Sequence, residues 1–151
     1  MENNSKNTRR LSVVVADDEP DTVQTLSAIL ADAGYAVAQA QKGPDVLRIV
    51  AHSKPDVVIV DIDMPGMSGY TVAREIHEVY QKDAPFLICI SGKWMGQTDR
   101  MLADMAGFDH FLQKPCDPQR LLGLLEPLAP VSRALTGSGE DTTLTPQDEM
   151  S

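Results

Sequence analysis

Five short, largely apolar runs recur along the chain: LSVVVA (11–16), YAVAQA (35–40), DVVIVD (56–61), FLICIS (86–91) and DHFLQ (109–113). Between them apolar residues fall three and four apart, the period of a helix. Val23, Leu26, Ile29, Leu30 and Ala33 mark a first helix, with Pro20 suited to its first turn and Gly34 in the usual stop position. Val46, Leu47, Ile49 and Val50 mark a second, closed before Pro55, and Tyr70, Ala73, Ile76, His77 and Tyr80 a third, begun near Ser68. Met101, Leu102, Met105 and Ala106 give a fourth, ended by Gly107. Leu121, Leu122, Leu124, Leu125 and Leu128 give a fifth, behind an Asp117 N-cap and Pro118 at the first helical position.

Five alternations of strand and helix predict βαβ units, a parallel sheet and helices on both faces. VVIV and LICI are apolar throughout, as strands buried on both faces must be. Because such crossovers are right-handed, the expected fold is α/β and doubly wound. Ligands then belong beyond the carboxyl ends of the strands.

Those ends carry polar groups. The first run leads to Asp17-Asp18-Glu19, the third to Asp61-Ile62-Asp63, the fourth to Ser91-Gly92-Lys93 and the fifth to Lys114-Pro115. Each alone is explained by a strand ending in polar residues. Together they gather carboxylates that repel one another unless a cation joins them. Oxygen-rich acidic clusters suit a hard divalent ion, and Mg2+ takes one or two carboxylates plus phosphate oxygens and water. A carboxylate can also attack phosphorus to give an aspartyl phosphate, with positive groups absorbing charge on the phosphoryl oxygens. Lys114 is the natural point charge and Ser91 the natural hydroxyl donor.

The segments VVVADDEP, DVVIVDIDMPGMSGY, ICISG and HFLQKP, in that order, resemble the receiver domain of response regulators in two-component signalling. The resemblance runs over about residues 11–128 and implies a five-stranded (βα)5 sheet of flavodoxin-like order 2-1-3-4-5. It implies that Asp61 is phosphorylated and that Asp17 and Asp18 hold Mg2+ or Mn2+, Asp18 more directly, with Asp61 and the Asp63 backbone carbonyl. Ser91 stands at the family's Ser/Thr position, Lys114 at its phosphate-contacting lysine, and Lys114-Pro115 at a bond commonly cis. Phe111 occupies the switch aromatic's position, without a tyrosine hydroxyl. The implied phosphoryl donor is a sensor histidine kinase or a phosphotransfer protein. Such a domain catalyses only its own phosphorylation and dephosphorylation, so it is not an enzyme in the ordinary sense. Output is expected through the face of helix four, strand five and helix five (Met101, Asp104, Met105, Phe108, Arg120), toward an unknown partner or a second copy.

Two positions depart from the commonest pattern. Asp63 adds an acid two past Asp61, and Lys93 a base two past Ser91. Either they pair across the mouth and govern water access to the acyl phosphate, or they are independent exposed side chains; surface pairs are weak, so both readings stand. A rival function starts from VVIVDIDMP, which resembles the DxD motif of haloacid-dehalogenase-type phosphatases. Against it, the motif lies on the third strand, Pro65 follows Asp63 where Thr or Val is expected, and the acidic pair precedes the nucleophile. An interaction module that no longer takes phosphate is disfavoured because every expected group is present. His77-Glu78 has a faint likeness to a kinase histidine box but reads as an ordinary helical histidine, and His52 and His110 lack metal-ligand spacing.

Composition excludes little else. With 151 residues the chain has room for one domain and can bury a core without staples. The net charge is −9, of which residues 1–10 contribute +2 and 131–151 contribute −3, leaving −8 on the body, a poor direct binder of nucleic acid. No apolar run suits a membrane span and Met1–Arg10 lacks a signal-peptide stretch, so a cytoplasmic location is expected. Cys89 reads as core packing and Cys116 as an ordinary small residue, both free thiols. Domain bounds are expected at 11–130, between a polar tail (1–10) and a disordered tail (131–151) rich in Ser, Thr, Gly and acids. The initial Met and the two tails fit a complete product better than a piece of a hybrid kinase.

Overall fold

The computed structural model describes residues 10–93 and 95–129. The two tails, apart from Arg10, and Trp94 lie outside the described residues. The elements run β1 (Ser12–Ala16), α1 (Pro20–Asp32), β2 (Ala36–Ala40), α2 (Gly43–Ser53), β3 (Val57–Asp61), α3 (Gly69–Tyr80), β4 (Phe86–Ser91), α4 (Gln97–Ala106), β5 (His110–Gln113) and α5 (Pro118–Leu125), with short 3-10 turns at Gln81–Asp83 and Glu126–Leu128. The strands form one parallel sheet in the order β2-β1-β3-β4-β5, as expected.

Strand parity divides the core in two. Val13, Val15, Val57, Ile59, Ile88 and Ile90 pack on one face with Val23, Leu26 and Leu30 of α1 and Leu121 and Leu125 of α5. Val14, Val58, Val60, Leu87 and Cys89 pack on the other with Val46 and Val50 of α2, Val72 and Ile76 of α3, and Ala103 of α4. Every residue of β3 is buried, which is why its sequence shows no alternation. Each such side chain contributes about 1.5–3 kcal/mol, so two packed layers suffice for a chain this long.

Helix ends follow local chemistry. Ser68 caps α3 by accepting from the Thr71 N–H at 3.3 Å, and Asp117 caps α5 by accepting from the Gln119 N–H at 3.1 Å. At the end of α4, Gly107 takes φ +106, its N–H bonds the Asp104 carbonyl, and the Phe108 N–H returns to the Ala103 carbonyl at 3.1 Å. That closure turns Phe108 into the core, where it is 5% exposed. The expectation that Phe108 belongs to a surface face is therefore corrected; Met101, Asp104, Met105 and Arg120 are exposed. His77 Nε2 donates to the Gly107 carbonyl oxygen at 2.8 Å, joining α3 to the end of α4.

Gly69 sets the position of the site. A Cβ there would stand 2.5 Å from the Asp61 carbonyl oxygen and 3.0 Å from the Ile62 Cα. Only glycine lets α3 start directly against the end of β3.

Candidate functional site

The period of two that sorts the core also sorts the polar residues at the strand ends. Asp17 follows Val13 and Val15, Asp61 follows Val57 and Ile59, and Lys114 follows Leu112, so all three lie toward the α1/α5 face. Asp17 is fully buried and Asp61 nearly so. Lys114 Nζ lies 2.7 Å from Asp17 Oδ2, 3.2 Å from Glu19 Oε1 and 3.6 Å from Asp61 Oδ2. The contact with Asp17 is the shortest of the three ion pairs. Asp17 Oδ1 accepts from the Glu19 N–H at 3.0 Å, which turns the acidic segment back over the site.

Asp18, Glu19, Thr22, Asp61, Asp63, Gly92, Lys114 and Pro115 line an open bowl of about 570 Å3, with Asp17 buried beneath it. A second hollow of about 520 Å3, around Lys54, Asp56, Tyr80 and Asp83, lies at the opposite end of the strands and gathers no comparable cluster.

Electrostatics follow from the crowding. Burial pushes the Asp61 carboxyl up to about 6, with the Asp17 charge adding to the rise and Lys114 opposing it. Burial alone would lower the Lys114 ammonium, yet Asp17, Asp61 and Glu19 together hold it above the ordinary lysine range. Glu19 is drawn below the usual carboxylate range, chiefly by its hydrogen bond from Lys114.

The donor set fits a hard cation. Asp17, Asp18 and Asp61 each offer a carboxylate oxygen, all within 4.8 Å of one another. Asp61 Oδ1 is buried and has no hydrogen-bond partner, an acceptor left for a metal or a phosphoryl group.

Ser91 stands apart. It follows Leu87 and Cys89, hence the α2/α3/α4 face. It is buried; its Oγ accepts from the Lys93 N–H at 3.1 Å and donates to the Lys93 carbonyl at 3.4 Å. It lines a small adjoining cavity of about 140 Å3 with Ile62, Asp63, Tyr70, Lys93, Met95 and Asp99. Lys93 and Asp63 meet at 3.5 Å, both exposed. Phe111, half-buried, packs on the same side of the sheet as Ser91. The Lys114-Pro115 bond is cis.

Sequence reasoning assigned no role to Glu19 or to Arg100, whose guanidinium covers the Phe111 ring. Glu19 was visible as the third acid of Asp17-Asp18-Glu19; Arg100 carried no signal. Both cysteines are free. Burial pushes the Cys89 thiol up to about 12 and raises Cys116 as well, so neither is poised to react. No helix among the described residues is long and apolar enough to cross a membrane.

Known proteins share this fold and sequence pattern. The family model for the response regulator receiver domain matches residues 13–126. Over 110 residues the chain is 32% identical to protein PilH of Pseudomonas aeruginosa, covering 73% of this chain and 90% of that protein. It is 32% identical over 120 residues to response regulator PleD of Caulobacter vibrioides, covering 77% of this chain but 25% of PleD. Among solved structures, chemotaxis protein CheY4 of Vibrio cholerae superposes with a TM-score of 0.73 at 26% identity, covering 78% of this chain and 98% of that one. Matched in its fold and along its sequence, the chain belongs to the response regulator receiver domain family.

Proposed function

We propose that the chain receives a phosphoryl group on Asp61 from a phosphohistidine of a sensor kinase or phosphotransfer protein and passes the signal on by protein contact. The single observation that carries this reading is the placement of Asp61: buried, with a free Oδ1, the Lys114 ammonium 3.6 Å from Oδ2, and two further acids in reach of one cation.

The chain's residues divide the work. Asp61, ionised above pH of about 6, supplies the attacking oxygen; the O–P bond forms as the P–N bond to the donor imidazole breaks. Lys114, kept charged and aimed by Asp17, meets the phosphoryl oxygens. Asp17, Asp18, Asp61 and the Asp63 carbonyl would hold Mg2+ or Mn2+, which supplies charge neutralisation for the incoming phosphoryl group. Ser91 must leave its local bonds to Lys93 to reach a phosphate, and that movement is the first step of the switch. Phe111 then follows inward, altering the surface of α4, β5 and α5 on which Met101, Asp104, Met105 and Arg120 are exposed. That surface is the output face, for a partner protein or a second copy of the chain. Turnover is limited to the domain's own phosphorylation and dephosphorylation, in the cytoplasm.

Incubation with acetyl phosphate and Mg2+ followed by intact-mass measurement tests the reading. Wild type should gain one phosphoryl group and Asp61→Ala none; equal gain in both, or none in either, contradicts it.

A further inference from the structure

Phe111 carries a cation on its ring. The Arg100 guanidinium carbon stands 4.4 Å from the ring centroid, within the range where a cation is attracted to an aromatic face. The same side chain donates from Nε to the Met95 carbonyl oxygen at 3.2 Å, so the guanidinium is held at two points. Met95 is 6% exposed and belongs to the segment that leads from Ser91 and Lys93 into α4. One arginine thereby joins the loop beside the phosphoacceptor site to the ring on β5.

Helix chemistry does not account for an arginine at this place. Arg100 is the fourth residue of α4, with its N–H bonded to the Gly96 carbonyl at 3.0 Å. The positive end of the helix dipole lies there and disfavours a cation. The neighbouring acid Asp99 is engaged in accepting the Gly96 N–H at 3.1 Å. Among the described residues Arg100 makes no ion pair. Among the described residues its side chain meets a ring and a loop carbonyl.

We propose that Arg100 is a positioning residue for Phe111, holding the ring against α4 in the resting protein and yielding it when the loop after β4 is drawn toward a phosphoryl group on Asp61. The yielding rests on the function proposed above; the resting placement does not. Loss of one such contact shifts the ratio of the two ring positions about two- to fivefold.

The full chain labelled with 4-fluorophenylalanine reads this by 19F NMR, since it has three phenylalanines and Phe111→Leu assigns the resonance. With no phosphoryl donor, Arg100→Gln should move the Phe111 resonance toward the position it takes in wild type after acetyl phosphate and Mg2+. Arg100→Lys, which keeps the charge but loses the planar fork, should fall between. Coincident Phe111 resonances in Arg100→Gln and wild type overturn the proposal. So do equal movements of Phe86 and Phe108, which show an arginine that only braces the fold. A wild type that takes no phosphoryl group would sink the proposed function, and the ring's resting position would then be read from the difference between the Arg100→Gln and Phe111-assigned wild-type spectra alone.

Discussion

Lys114 Nζ is paired first with Asp17, at 2.7 Å, and only second with Asp61, at 3.6 Å. The resting lysine therefore neutralises a fully buried acid and stands beside Asp61. Removing it leaves that acid without its partner, a loss of about 3 kcal/mol. Lys114→Ala should lower stability by this amount in urea denaturation without metal, and saturating Mg2+ should restore more stability to the variant than to wild type. Equal stabilisation of both by Mg2+ would count against the shared-charge picture.

Metal binding should depend on pH through Asp61. Its carboxyl is pushed up to about 6, mainly by burial, so below that pH the folded protein holds a proton where a cation needs a bare oxygen. Mg2+ affinity, measured by titration calorimetry, should be level above pH of about 7. It should fall as pH drops through about 6, by up to about tenfold per unit below it. An affinity independent of pH between about 5 and 7 would show that Asp61 is not a ligand.

Asp63 and Lys93 meet at 3.5 Å where the bowl adjoins the small cavity beside Ser91, so the pairing expected as one of two readings does occur in the structure. Because both are exposed, the pair is worth little, about 0.2–1 kcal/mol. If it screens the acyl phosphate from water, Lys93→Ala should shorten the phosphoryl lifetime by up to about fivefold. An unchanged dephosphorylation half-life leaves the pair without that role.

Gly69 should be intolerant of any side chain, because a Cβ would press on the Asp61 carbonyl oxygen at 2.5 Å. Gly69→Ala should cost about 1–3 kcal/mol in thermal or urea unfolding and slow phosphorylation by shifting the end of β3. Gly66→Ala has open space at its Cβ and only a φ of +82 to strain it, so phosphorylation there should suffer less.

The sheet was legible because VVIV and LICI are buried on both faces and cannot be written any other way. The acid cluster was legible because strand ends in a parallel sheet converge. What escaped depends on register and parity. Ser91, like Asp61 and Lys114, stands at a strand end, yet it falls on the other side of the sheet and is tied to the Lys93 backbone. Its parity with Leu87 and Cys89 encodes that side. Phe108 reads as part of the exposed face of α4, β5 and α5 until the reversal at Gly107 folds it inward. The Glu19–Lys114 bond spans 95 positions, and no local pattern encodes such a contact. The Arg100–Phe111 stack likewise appears only once α4 lies over β5.

Borohydride converts an aspartyl phosphate to homoserine, and peptide mapping by mass then locates it. After treatment with acetyl phosphate, homoserine should appear at position 61 alone, in proportion to added Mg2+, and should vanish from Lys114→Ala or drop sharply. Modification at Asp17, Asp18 or Asp63 instead, or modification of Asp61 indifferent to both the metal and Lys114, would contradict the claim that these groups act as one phosphoryl-binding unit.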